Sequence, residues 1–352
     1  MRITNQMKRN QMVLDLNRLQ NEMFISQNVL NTGKEVNRGS DDAAAARRIM
    51  LLENSSARRE QYIENIDDGK ARIGYAESQL MAAEDILTQL RTVAIEGSNS
   101  ATTDVDREAL AVKVDNLLHE LVSIANARHE EQYIFGGYNT QSAPYEIITD
   151  PATGETIQVR DLEGLNNGVD LGANMDGEIY RKTSDGEDVK INVNGTDVFQ
   201  TGDPDETGDV FKVIIDLRDA LRDGIDNDDE QIAAFPTDLL GSPIMPQEGD
   251  PGYNPEIYKS LLTISETMEK LDTSADLIRN QLTVLGGIYQ RLDNSENKHE
   301  DISLIESEHL SEIQDADITE WLSKFQLQSI ALEQAMNVSS RVLNANLVNF
   351  IR

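Results

Sequence analysis

The chain has no cysteine among its 352 residues. Disulfide frameworks, cysteine zinc sites, iron–sulfur clusters and thiol nucleophiles are excluded together. Such a sequence suits a protein that crosses an export machine unfolded. Aromatic residues make up only 5%, thin for compact globular cores and usual in long helical assemblies. No run approaches the roughly 18 apolar residues of a transmembrane helix. The N-terminal MRITNQMKRNQMVLDLNRLQ has no apolar h-region, so no cleaved secretory signal is expected. Bases are scarce: 31 Lys and Arg stand against 63 Asp and Glu, a formal net charge of −32. Phosphates would be repelled, which argues against nucleic acid or an anionic membrane as partner.

Patterns that carry chemistry are missing too. His119, His129, His299 and His309 have no i, i+4 partner and read as surface or seam residues on helices. The acid runs at 203–206 and 226–230 lack the glycine and distal glutamate of a calcium loop and read as solvated loops. Gly136-Gly137 and Gly286-Gly287 do not follow a strand and open a helix, so no phosphate loop is expected. No nucleophile elbow is present. The expectation is a chain without catalytic, cofactor or metal site, and not an enzyme.

What is there is unevenly charged. Residues 138–250 hold 26 acids and 7 bases, while the first 50 residues hold 8 bases and 5 acids. Residues 318–352 are nearly neutral, with 3 bases and 2 acids. Between Ile3 and Asn37, seven Asn and four Gln stand where an exposed helix would carry charges. Uncharged polar surface can pack against copies of itself without like-charge repulsion, so the ends point to self-association.

The same ends carry heptads. Met12, Leu16, Leu19, Met23, Ser26 and Leu30 follow alternating steps of four and three, which predicts a helical seam. Thr32-Gly33 and Arg38-Gly39-Ser40 break it, and Ser40, Asp41 or Asp42 can cap the next helix. Ile66 to Gly97 keep the step without slippage, and no proline interrupts 43–96, which allows a helix of ~80 Å. Thr103 with Asp106 offers a weak capping box for a third helix, with Leu110, Val114, Leu117, Leu121, Ile124 and Arg128 on one stripe. The step returns from Ile257 to Leu292. A last frame runs Leu322, Phe325, Ser329, Leu332, Met336, Ser339, Leu343, Asn346 and Phe350.

The character changes at Gln132-Tyr133-Ile134-Phe135-Gly136-Gly137. Beyond it the chain is rich in Gly, Asp, Asn and Thr. Asn194-Gly195, flanked by Ile191–Val193 and Thr196–Phe199, signals a type I′ hairpin. Residues 145–148 and 156–159 read as a second strand pair, and residues 209–222 as one helix. Five of the eight prolines fall within 236–255 and mark a boundary.

Three blocks resemble the flagellin superfamily, on its hook–filament junction branch. They are Arg2-Ile3-Thr4 with Asn31-Thr32-Gly33-Lys34 and the Ser40-Asp41-Asp42 corner; the run Tyr133-Ile134-Phe135-Gly136-Gly137; and Val342-Leu343-Asn344-Ala345-Asn346-Leu347. The family corner carries prolines where this chain has Gly39 and Ala43. The resemblance implies an extracellular flagellar protein, exported by the type III apparatus without a cleaved signal. Its terminal helices would form an inner layer of a homo-oligomeric ring. It also implies the other hook-associated junction protein, flagellin, and a chaperone on the C-terminal helices as partners.

The expected fold is mainly α with a β-rich insertion (α+β). Residues 1–40 and 315–352 form the coiled-coil assembly helices, 41–137 and 255–314 the long-helix bundle, and 138–254 an acidic β-rich surface domain. Leu16, Leu19, Met23, Leu30, Leu332, Met336, Leu343 and Phe350 are the expected assembly contacts, with Ser40, Asp41 and Asp42 as the inter-domain corner. The alternatives are a filament flagellin, a surface adhesin, or an enzyme hosted by the insertion.

Overall fold

The absence of proline from long heptad runs is realised as long helices. In a computed structural model the elements are α1 (Asn5–Thr32), α2 (Ala43–Gly97), α3 (Asp104–Ala125), β1 (Arg128–His129), β2 (Gln132–Tyr133), β3 (Tyr145–Thr149), β4 (Thr156–Asp161), β5 (Tyr180–Ser184), β6 (Glu187–Lys190), α4 (Val210–Arg222), α5 (Pro255–Gln314) and α6 (Ile318–Val348). The structure describes residues 5–99, 102–149, 151, 156–161, 177–199, 209–222 and 255–348. Among the described residues the fold is mainly helical, with three separate two-stranded antiparallel pairs in the middle of the chain. It divides into two compact units, Met1–Gln61 with Lys298–Arg352, and Tyr62–Asn297, so α2 and α5 contribute to both.

In the first unit, α1 and α6 pack as an antiparallel pair. The Ser26 hydroxyl donates to Oε1 of Gln328 at 2.7 Å, and Met12 and Leu16 lie opposite Ala335 and Ser339. Gly33, at φ +73°, ends α1 in the left-handed conformation that favours glycine, and its N–H reaches the Val29 carbonyl. The Asp42 carboxylate then accepts from the N–H groups of Ala44 and Ala45, at 2.8 and 3.0 Å, and so caps α2. Asp317 caps α6 in the same way through Thr319 and Glu320. The two corners are stitched by a short antiparallel bridge: Glu35 N donates to Gln314 O and Ala316 N to Gly33 O. Between α2 and α5, Arg59 holds Glu306 at 2.6 Å beside Ser55 and the buried His299.

The second unit has an extended core. Ile66, Ile73, Leu80, Leu87 and Leu90 of α2 bury with Val114, Leu118 and Leu121 of α3 and with Ile264, Leu271, Ile278, Leu285 and Leu292 of α5. Thr103 caps α3, its hydroxyl accepting from Asp106 N, as the sequence indicates. That helix stops at Ala125, so Arg128 falls on β1, not on the helical stripe, and His129 likewise leaves the helix. Helix α4 lies on α3 and β4. Its buried Arg218 pins them together, donating to Asp115, Asp219 and the Thr156 carbonyl. Phe135, Phe199, Phe211 and Tyr145 form an aromatic cluster with centroids 5.2–5.9 Å apart.

The strand pairs correct one expectation. Residues 145–149 and 156–161 do pair, as β3 and β4. The expected hairpin about Asn194-Gly195 does not form; the neighbouring hairpin is β5–β6, turning at Asp185-Gly186 with Gly186 at φ +86°. A type I′ turn needs positive φ at both central residues, and Gly195 does not adopt it. Gly195 is there for close approach: its N–H donates to the Phe135 carbonyl at 2.8 Å, and a Cβ would lie 2.4 Å from the Tyr145 hydroxyl. The proline-rich segment 236–254 and the acid runs at 203–206 and 226–230 lie outside the described residues.

Candidate assembly surface

The α1/α6 pair has more apolar surface than its mutual seam can cover. On α1, Met12, Leu16, Leu19, Met23 and Leu30 are half-buried on the face that carries the fully buried Ser26. On α6 the inward positions are Trp321, Phe325, Gln328, Leu332, Ala335 and Ser339, with Leu332 only 8% exposed. This frame shares Phe325, Leu332 and Ser339 with the frame read from sequence, but replaces Leu322, Ser329 and Met336 by neighbours one residue earlier. Both frames obey the three-four step, so spacing alone could not choose. The choice is made by the partner: Ser26 needs Gln328 for its buried hydroxyl, and small Ala335 lets α1 approach.

The side chains left over stand outside. Met336 is 51% exposed, and Leu322, Leu327, Ile330 and Val338 of α6 are exposed with it. On α1, Val13, Leu14, Phe24 and Ile25 are exposed, Phe24 at 63%. At 100° per residue Val13, Phe24, Leu322 and Met336 flank the inward faces on one side, Leu327 and Val338 flank that of α6 on the other, and Leu14, Ile25 and Ile330 stand close to the opposite side. Large apolar side chains exposed together, with uncharged polar residues between them, mark a surface that another protein can cover. Few charges interrupt this surface: α1 carries Lys8, Arg9, Asp15, Arg18 and Glu22 over 28 residues, and α6 carries Glu320, Lys324, Glu333 and Arg341 over 31. A groove of about 430 Å³ opens between the two helices, floored by Met12, Leu16 and Ala335 and walled by Val338.

The sequence reading missed the flank residues. Their signal was present as apolar pairs, Val13-Leu14 and Phe24-Ile25, in which one member must leave any single heptad stripe. Of the expected contacts, the side chain of Leu343 and the whole of Phe350 lie outside the described residues. Ser40, Asp41 and Asp42 are exposed at the start of α2, and the Asp41 carboxylate accepts from the N–H groups of Asn37 and Arg38. Four backbone N–H hydrogen bonds, at 2.8, 3.0, 2.9 and 3.2 Å, therefore tie this acid pair to the turn. The two bonds from Ala45 and Ala44 hold the Asp42 carboxyl below the usual carboxylate range.

Tyr133, Ile134, Phe135, Gly136 and Gly137 are all buried in the second unit. Phe135 anchors the aromatic cluster. A Cβ on Gly136 would come within 2.4 Å of the Asn139 carbonyl, and Gly137 sits at φ +57°. This run is a packing feature, distant in character from the exposed terminal surface. The histidines do not converge: His119 is bonded to the Asp115 carbonyl, His129 packs on Tyr75, His299 lies beside Arg59, and His309 faces Glu312. Among the described residues no group of three or more His, Asp or Glu could hold a metal. No described helix is long and apolar enough to cross a membrane.

Residues 3–140 match the family of the bacterial flagellin N-terminal helical region. Flagellar hook-associated protein 3 of Salmonella typhimurium is 24% identical over 340 residues, 95% of this chain and 94% of its own length. Polar flagellin F of Vibrio parahaemolyticus is 23% identical over 350 residues, 90% of this chain and 89% of that protein. The crystal structure of flagellar hook-associated protein-3 from Legionella pneumophila shares the fold, with a TM-score of 0.54 at 14% identity, covering 75% of this chain and 98% of that one. The chain resembles flagellar hook-associated protein 3 along nearly its whole length, and residues 3–140 match the flagellin N-terminal helical region.

Proposed function

We propose that this chain is a structural subunit of the bacterial flagellum, an adaptor between hook and filament that assembles through α1 and α6. One observation carries the reading. Two terminal helices with few charges satisfy each other along one seam and leave large apolar side chains exposed on their other faces. Completing the burial of each half-exposed side chain is worth about 1 kcal/mol, so neighbouring copies closing over these faces would gain several such increments. The near end-to-end similarity to hook-associated protein 3 supports the junction over other places in the organelle.

On this reading the subunits form a homo-oligomeric ring outside the cell. The ring contacts the other hook-associated protein on one side and flagellin on the other, after export with a chaperone on the C-terminal helices. The chain performs no catalysis there. A strain lacking the gene tests it: hooks without filaments, with flagellin in the medium, are expected. Complementation by a chain lacking residues 1–40 and 315–352 should fail although that chain remains folded and soluble. Intact filaments in the deletion strain would end the proposal. The second reading, a filament flagellin, is favoured by the similarity to polar flagellin F; it predicts this chain along whole filaments in immunoelectron microscopy, not at their base.

A further inference from the structure

One buried cation has no use in that assembly. Arg72 of α2 is only 8% exposed, and its Nε and Nη2 are sealed from solvent with no hydrogen-bond partner among the described residues. Its third nitrogen, Nη1, donates to the amide oxygen of Gln132 at a long 3.3 Å. The Asp68 carboxylate, one turn away, favours the charge from nearby, but its Oδ2 accepts from Nε of Arg181 at 2.8 Å and it makes no hydrogen bond to the Arg72 guanidinium. Burial is the main influence against the charge on Arg72, and the Arg181 guanidinium disfavours it further. A buried guanidinium with two donors unmet is unfavourable, and arginine cannot shed its proton as lysine can.

The surroundings form a holder. Gln132 sits on the β1–β2 hairpin, whose two-residue turn puts Glu130 and Glu131 at φ 49° and 64°, a left-handed pair unusual without glycine. The hairpin is fixed from beside by His129 against the Tyr75 ring, 5.2 Å between centroids, one helical turn beyond Arg72. Gln132 itself is exposed. A surface amide therefore holds one nitrogen of a buried guanidinium whose other two lack an acceptor, and an exposed side chain changes rotamer within nanoseconds.

We propose that Arg72, with Arg181 beside it and Gln132 as a movable cover, binds an oxyanion: a carboxylate or phosphate group that takes the Nε/Nη2 edge of the guanidinium in bidentate fashion. That edge is the one such groups prefer, because two parallel N–H donors match two oxygens. The source is either a free oxyanion or a carboxylate of a second copy.

The test uses the full chain and inorganic phosphate at 0–10 mM, with chloride at matched ionic strength as control. Phosphate should raise the melting temperature of the wild type by roughly 2–4 °C at saturation. Arg72→Met should melt at or above the wild type without phosphate, since it removes an unpaired buried charge, and should show no phosphate shift. Arg72→Lys, which keeps charge but loses the fork, should show less than half the wild-type shift. If Arg72→Met proves unfolded, Gln132→Ala serves instead, and its phosphate shift should exceed the wild type's because the cover is gone. An equal phosphate shift in Arg72→Met, or none in the wild type and Gln132→Ala, overturns the proposal. Sedimentation at rising protein concentration separates the sources. Self-association suppressed by phosphate assigns a second copy's carboxylate; a thermal shift without any effect on association assigns a free oxyanion.

Discussion

Leu332 and Met336 lie one helical turn apart on α6, and the structure gives them opposite roles. Leu332 is 8% exposed on the face toward α1, while Met336 is 51% exposed. Truncating a buried leucine to alanine costs about 2–5 kcal/mol, depending on how far the site collapses. The α1/α6 pair holds helices of 28 and 31 residues, each marginal alone, so a loss of that size should open both. Leu332→Ala is expected to lose amide protection through α1 and α6 together, and far-UV circular dichroism by the corresponding helix, with residues 62–297 unchanged. Met336→Ala should shift monomer stability by less than about 0.5 kcal/mol. Its effect belongs to assembly: closing over the exposed half of a methionine is worth about 1 kcal/mol. In the proposed ring that is about a fivefold weakening for each contact. Hydrogen exchange on the monomer reads the first effect, and swimming or filament number in a complemented strain reads the second. Equal protection losses in the two variants would refute the assignment of faces. So would a Leu332→Ala chain with undisturbed terminal amides.

Further outcomes follow from the caps, the ion pairs and the close-packed glycine. Asp317→Ala should weaken the start of α6 by about 1 kcal/mol, seen as faster exchange at Trp321 and its neighbours. The Asp42 carboxyl has a folded-state pKa below its unfolded value, so its contribution is present at neutral pH and disappears as pH falls through the folded pKa; Asp42→Asn should flatten that part of an acid titration followed by helix signal. Glu306→Gln, which leaves Arg59 without its carboxylate at a site where both side chains are about 85% covered, should destabilise the first unit by about 3 kcal/mol in chemical denaturation. Burial alone would raise the Glu306 pKa, but the bonds from Arg59 and Ser55 outweigh it and lower it. Gly195→Ala should lower the melting temperature of the second unit by a strain of about 1–3 kcal/mol, and Tyr145→Phe in the same chain should restore part of it, because the hydroxyl is the nearest obstacle.

Helix existence was readable because it depends on short-range spacing. The seam from Ile66 to Gly97 could be followed residue by residue, and Gly97 closes α2 as its position suggests. Asp42 and Thr103 as caps follow from local chemistry, since a short oxygen-bearing side chain ahead of a helical run has nearby N–H groups to bond. The type I′ hairpin at Asn194-Gly195 failed for the opposite reason. Local signal favoured a turn, but a contact 60 residues away decided the outcome, the Phe135 carbonyl and the Tyr145 ring requiring a residue without Cβ. The assembly surface lies between these cases. Its apolar content and sparse charge were visible, whereas Arg72 looked like any charged residue on a helix until β1 and β2 covered it.

Sequence by itself determined that this chain builds long helices at both ends, that those ends carry little net charge, and that neither thiol chemistry nor a membrane-spanning helix is available. Those properties are sums over neighbouring residues, and neighbours in sequence are given. Tertiary structure alone decided which of two equally spaced stripes on α6 turns toward α1, and so which apolar side chains remain exposed. That choice rests on Ser26 meeting Gln328 across 302 positions of sequence. A heptad records that a seam exists; only the partner helix, by the polar atom it must satisfy and the small residue it can approach, fixes where on the circumference the seam lies.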